Sequence, residues 1–116
     1  YLKERNPRVK IIGVEPASRQ HKLSGIKKIT GLPPEHQPKI LDYSLIDEII
    51  AVGDDEAFAA GVRLARSEGI MVGPTTGACL HAARVFGADK RGLAVVISPD
   101  DATKYISAYT EYLAGK

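Results

Sequence analysis

The chain has 116 residues, which suits one folded domain, and its composition of 44% hydrophobic and 26% charged residues excludes a disordered or collagen-like chain. A net charge of +2 gives no reason to expect a nucleic acid or a membrane surface as partner. A single cysteine, Cys79, excludes an intramolecular disulfide and a cysteine metal cluster, so we expect a cytoplasmic protein without a metal.

The first predicted elements are a helix end and a strand. Residues 1–6 favour a helix and lack an initiator methionine, so we expect them to be the end of a helix in a piece of a longer polypeptide. Residues 9–14 are β-branched and lie between two prolines, which predicts a buried strand. A second apolar run at residues 46–52 predicts another strand.

A long loop separates these two strands. Between residue 15 and about residue 43 the periodicity disappears, and glycines and prolines interrupt the chain. Residues 1–40 carry nine basic and three acidic side chains, whereas residues 41–116 carry seven and eleven. Long loops in small domains are often functional, so this one is either a binding loop or a surface that another segment covers. Its positive charge indicates either a solvated surface or a pocket rim that attracts an anionic small molecule.

Helices and a third strand are predicted in the second half. A helix follows Gly53, with Asp54 expected to accept hydrogen bonds from its first amides and Gly69 expected to end it in the left-handed conformation. Residues 78–86 predict a second helix, and a last one follows Asp100. The five consecutive apolar residues 93–97 predict the clearest strand. Alternating strands and helices predict an α/β fold, a layered sheet with helices on both faces.

The turn Gly-Pro-Thr-Thr-Gly-Ala at residues 73–78 is the candidate for chemistry. It places two hydroxyls at the start of a helix, where the amides lack partners and an anion can bind. It matches neither a P-loop nor a dinucleotide-binding motif, so the residues alone favour an ordinary helix start over an anion site. The histidines His21, His36 and His81 show no metal-ligand spacing.

Several short motifs occur in a familiar order along the whole chain. They are Val-Lys-Ile-Ile-Gly-Val-Glu-Pro at 9–16, Gly-Ile at 25–26, Ile-Asp-Glu-Ile at 46–49, Glu-Gly-Ile at 68–70, the turn at 73–78 and Pro-Asp at 99–100. Their order resembles the C-terminal part of the cysteine synthases (O-acetylserine sulfhydrylases), a group of fold-type II pyridoxal-phosphate (PLP) enzymes related to the tryptophan synthase β subunit. The resemblance implies that residues 1–116 are a single C-terminal fragment of the catalytic domain, an incomplete piece of its large domain.

The resemblance also implies roles for individual residues. Thr75 takes the position of the family hydroxyl that bonds the ring nitrogen of PLP, and Gly25, Ile26 and Lys27 match the loop that faces the substrate. The lysine that binds PLP covalently lies upstream in the family, so no catalytic residue is expected here and the fragment alone is expected to be inactive. Strands of the missing part would flank this sheet, so an isolated copy is expected to self-associate.

The reaction implied is β-replacement, in which sulfide converts O-acetylserine or O-phosphoserine to cysteine in a homodimeric enzyme. Lys27 and Lys28 stand where several relatives have small or uncharged residues, and a cation there suits O-phosphoserine better than O-acetylserine. A cystathionine β-synthase and a threonine dehydratase or synthase are alternatives within the family. A non-enzymatic α/β module whose turn at 73–78 holds an anion is the alternative outside it.

Overall fold

Two parallel strands form the sheet. In the computed structural model, which describes residues 1–116, β1 (Ile12–Pro16) pairs with β2 (Glu48–Val52), so that Gly13 lies opposite Ile49. Both predicted strands are confirmed, although each begins two or three residues later than predicted. Pro16 lacks an N–H and is tolerated because β1 is an edge strand and the neighbouring amide of Ala17, not that of residue 16, donates to Val52 of β2.

The chain also contains four α-helices. They are α1 (Leu2–Arg5), α2 (Asp54–Glu68), α3 (Pro74–Gly87) and α4 (Ile106–Ala114), with short 3-10 turns at Pro34–His36, Tyr43–Leu45 and Ala102–Tyr105. Gly69 ends α2 with a φ of 71°, as predicted, because glycine has no Cβ to clash in the left-handed region. None of the helices is long and apolar enough to cross a membrane.

The core lies where α2 and α3 meet the sheet. Helix α3 contacts both strands and packs along α2. The buried cluster consists of Leu23, Val52, Ala57, Phe58, Ala78 and Ala82. Helix α4 covers one end of it, because Tyr109 meets the Phe58 ring edge-on and Tyr112 stacks on that ring, with centroids 5.0 and 5.3 Å away. The α/β fold predicted from the sequence is confirmed.

Two expectations about local structure are wrong. Residues 93–97 form no strand, and the side chains of Leu93, Val95 and Ile97 are 93%, 80% and 74% exposed. A strand needs a hydrogen-bonded neighbour, and the sheet of this chain contains only β1 and β2. Asp54 does not cap α2 either, because its carboxylate accepts from the amide of Lys22 in the long loop, at 2.9 Å.

Candidate cofactor and substrate site

The turn at residues 73–78 is buried at the beginning of α3. Gly73 is the residue before the helix and Pro74 is its first residue, where the missing N–H of proline costs nothing. Thr75 and Thr76 follow in the first turn and are only 8% and 3% exposed. Both hydroxyls therefore lie inside the fold and have protein partners.

The Thr75 hydroxyl reaches out of its own helix. Its Oγ1 donates to the carbonyl oxygen of Ser24 at 2.8 Å, across 51 residues of sequence. The next residue, Gly25, has a φ of 101°, and a Cβ added to it would lie 3.4 Å from the Thr75 oxygen. The structure therefore brings together the two segments that sequence analysis singled out separately, the Gly-Ile loop and the turn of α3.

The upstream side of this loop is held firmly. The side chain of Leu23 is fully buried in the core cluster. The amide of Lys22 donates to Asp54 at the start of α2, and the Lys22 ammonium forms an ion pair with Glu111 of α4. The hydrogen bond that Lys22 donates to Glu111 raises the pKa of Lys22. The loop thus enters the site between α2 and α4.

Glu15, at the end of β1, holds the downstream side. Its carboxylate is 4% exposed and accepts from the amides of Ile29 and Thr30 at 3.0 and 2.9 Å. Burial alone would raise the pKa of Glu15, but these hydrogen bonds and the Lys28 ammonium outweigh it and hold the pKa below its ordinary value. Glu15 is therefore a charged anchor for the end of the loop, a role that the sequence analysis did not assign to it.

The two adjacent lysines of the loop differ in their surroundings. The Lys28 ammonium donates to the carbonyl oxygen of Ala17 at 3.0 Å and lies 3.5 Å from a Glu15 oxygen. Lys27 is exposed and forms no ion pair. Between Gly25 and Lys27, the side chain of Ile26 is half-buried and packs against the core cluster. Lys27 is thus the cation of this pair that is free to meet a ligand.

A segment that sequence analysis did not assign to the site supports the other side of the turn. The Ser98 hydroxyl lies 3.0 Å from that of Thr76, and the carbonyl oxygen of Asp100 accepts from the amide of Gly73 at 3.3 Å. The Asp100 carboxylate accepts from the Tyr105 hydroxyl at 2.5 Å, and this hydrogen bond raises the pKa of Tyr105. The other oxygen of the Asp100 carboxylate is buried without a hydrogen-bond partner. In the sequence, Pro-Asp at 99–100 is one of the ordered family motifs and precedes a predicted helix, and no role in the site is assigned to it.

Comparison with known proteins identifies the family of this arrangement. Residues 1–100 match the family described as "Pyridoxal-phosphate dependent enzyme". The chain belongs to the PLP-dependent enzyme family. Members of that family use PLP, so the resemblance drawn from the short motifs is confirmed.

Relatives with assigned activities are similar along almost the whole chain. Cysteine synthase B of Pseudomonas aeruginosa is 37% identical over 109 residues, which cover 93% of this chain and 35% of that protein. The O-acetylserine dependent cystathionine beta-synthase of Bacillus subtilis is 36% identical over 113 residues, which cover 92% of this chain and 36% of that protein. The chain therefore spans about a third of the length of these curated relatives.

A solved structure shows the fold-type II architecture directly. The cysteine synthase of Entamoeba histolytica superimposes with a TM-score of 0.83 at 27% identity, over 99% of this chain and 35% of that one. The strands, helices and turn described above are thus the corresponding portion of a fold-type II PLP enzyme.

The residues of the site fit the ring end of PLP. Thr75 Oγ1 has one protein partner, the Ser24 carbonyl, and its proton can rotate from that oxygen to a ring nitrogen. Gly25 presents no side chain towards that oxygen, which leaves space beside it. A hydroxyl at the ring nitrogen and a glycine beside it suit a flat heteroaromatic ring.

Proposed function

We propose that this chain is the C-terminal portion of a PLP-dependent enzyme that makes cysteine from an O-activated serine and sulfide. The observation that carries the proposal is the hydrogen bond from Thr75 to Ser24, because it brings the substrate-loop candidate to the ring-nitrogen candidate. The identities of 37% and 36% to a cysteine synthase and to a cystathionine β-synthase support β-replacement chemistry.

The net reaction exchanges one substituent on the β carbon of serine. Acetate or phosphate leaves with the electrons of its C–O bond, and sulfide forms the new C–S bond at the same carbon. PLP, when bound, withdraws electron density from the neighbouring α carbon and so makes the departure possible. The protein binds and orients the reactants around this centre.

Thr75 sets the electronic character of the site in this proposal. A neutral hydroxyl cannot hold a ring nitrogen protonated as a carboxylate would, so the ring is a weaker electron sink. A ring that withdraws fewer electrons stabilises negative charge on the α carbon less, so that charge is short-lived. Loss of the β substituent is then favoured over transamination.

Lys27 indicates the class of activated serine. Its ammonium is exposed and forms no ion pair, whereas that of Lys28 is held by Glu15 and Ala17. A free cation beside Gly25 complements the dianion of a phosphate ester, while an acetyl ester offers it no charge. We therefore propose O-phosphoserine as the preferred substrate.

The test uses the polypeptide that carries this chain in its natural context, supplied with PLP. Visible absorption of the bound cofactor and cysteine formation from sulfide are expected, and Thr75→Val is expected to lower both more than Thr75→Ser does. The isolated 116 residues are expected to give no strong visible band, because the covalent anchor lies in another segment. A strong band from the isolated chain, lost on adding O-activated serine, would refute the fragment assignment.

Cystathionine synthesis is the second candidate function. It is favoured by the O-acetylserine dependent cystathionine beta-synthase of Bacillus subtilis, which is 36% identical to this chain. The two candidates differ only in the sulfur nucleophile, so sulfide and homocysteine are compared at equal concentrations with the same activated serine. Faster turnover with homocysteine would select this second candidate. A homodimeric assembly and a cytoplasmic location remain predictions from the resemblance and the lone cysteine.

A further inference from the structure

The Thr75 hydroxyl lies between the turn of α3 and the loop that carries Gly25. Its one proton is donated to the Ser24 carbonyl oxygen at 2.8 Å. A hydroxyl donates one hydrogen bond and accepts through its lone pairs. Thr75 therefore cannot donate to Ser24 and to a second acceptor at the same time.

The only tertiary hydrogen bond of residues 24–27 is this one. On the upstream side, Leu23 is fully buried, and on the downstream side Glu15 binds the amides of Ile29 and Thr30. Between these anchors, the amide of Ser24 makes a local bond to Lys22, and Ile26 packs on the core. Loss of the bond to Thr75 would free Ser24 and Gly25, while Ile26 and the anchors on both sides stay in place.

Resting on the role proposed for Thr75, we propose that the Thr75 hydroxyl couples binding of a ring nitrogen at its oxygen to the mobility of Ser24 and Gly25. A ring nitrogen without a proton is an acceptor and takes the Thr75 proton, so the hydroxyl leaves the Ser24 carbonyl. Ser24 is exposed, and water replaces the lost partner at small cost. Ser24 and Gly25 are thus held while no ring is bound and are released when the cofactor ring is bound.

The sequence offers a site-specific probe of this bond. Ser24-Gly25 is the only Ser-Gly pair in the chain, so carbonyl-13C serine combined with 15N glycine marks its peptide group. In the polypeptide that carries this chain, Ser24→Ala removes the labelled signal and so assigns it. The carbonyl chemical shift reports the hydrogen bond, and the 15N order parameter of Gly25 reports motion.

Without cofactor, three variants test the hydrogen bond itself. Thr75→Val is expected to move the Ser24 carbonyl signal and to lower the Gly25 order parameter from about 0.85 to below about 0.6. Thr75→Ser keeps the donor and is expected to match the parent. Thr76→Val is the matched control, because the Thr76 hydroxyl faces Ser98. An unchanged Gly25 signal in folded Thr75→Val, as judged by circular dichroism, overturns the coupling.

With cofactor, PLP is compared with an analogue that lacks the ring nitrogen. PLP is expected to produce in the parent protein the same signal changes as Thr75→Val, and no further change in that variant. The PLP analogue in which a C–H replaces the ring nitrogen is expected to bind without these changes. If PLP binds and the Gly25 signal stays in place, or if both ligands move it equally, the coupling is wrong although the proposed function stands. If PLP does not bind, the proposed function fails and the coupling fails with it.

Discussion

Gly77 of α3 lies directly against the main chain of Ala57 in α2. A Cβ on Gly77 would collide with the Ala57 carbonyl oxygen and would lie 3.0 Å from the carbonyl carbon and 3.4 Å from the amide nitrogen of Gly61. The two helices approach this closely because Gly77 carries no Cβ at the crossing. The beginning of α3, with Thr75 on its first turn, is thereby fixed against α2.

Gly77→Ala is expected to destabilise the fold. Backbone atoms cannot yield as a flexible side chain does, so the helices must separate, at a cost of about 1–3 kcal/mol. Gly87→Ala is the control, because a Cβ there meets nothing within 4 Å. Urea unfolding followed by circular dichroism measures both variants. Equal midpoints for Gly77→Ala and Gly87→Ala would contradict the close helix crossing.

The lowered pKa of Glu15 predicts that acid destabilises the loop that Glu15 anchors. Its folded pKa lies below its ordinary value of 4.5, so its stabilising contribution is complete above that value and is lost as the pH falls through the folded pKa. Glu15→Gln is expected to flatten this dependence, because glutamine cannot be protonated in that range. The measurement is the free energy of unfolding between pH 6 and pH 3. Parallel pH curves for the two proteins would exclude Glu15 as the titrating anchor.

Lys27 and Lys28 are predicted to have different roles, Lys27 in substrate preference and Lys28 in stability. In the PLP-loaded full-length polypeptide, Lys27→Ala is expected to lower kcat/KM for O-phosphoserine roughly 10- to 100-fold relative to O-acetylserine, since a charge-assisted contact is lost. Lys28→Ala is expected to lower Tm through the ion pair with Glu15 and to leave the ratio of the two substrates unchanged. An unchanged ratio in Lys27→Ala would remove the preference for O-phosphoserine.

The exposed segment 93–97 predicts self-association of the isolated chain. Val95 is 80% exposed in a run of five apolar residues that no strand covers. Val95→Lys is expected to shift the chain towards monomer in size-exclusion chromatography with light scattering. Ile40→Lys is the control, because Ile40 is 99% exposed outside such a run. The same oligomer distribution in both variants would show that residues 93–97 do not drive association.

Local chemistry explains what could be predicted about the fold. Gly69 ended α2 as expected, because the left-handed conformation is set by the residue itself. Residues 93–97 had the composition of a buried strand but lacked the neighbour that a strand requires. An apolar segment favours burial, but it becomes buried only if elements far away in the sequence pack against it.

By itself, the sequence determined the α/β class, the start of a helix near residues 73–78 and the membership of the PLP-dependent family, because each depends on short motifs and their order. Only the tertiary structure decided that Thr75 bonds to Ser24 and that Glu15 holds Lys28 while Lys27 stays free. The chain path between these residues sets their distances, and that path follows from packing of the whole core around Phe58 and Leu23. Such contacts between residues that are distant in the chain cannot be predicted from a local sequence pattern.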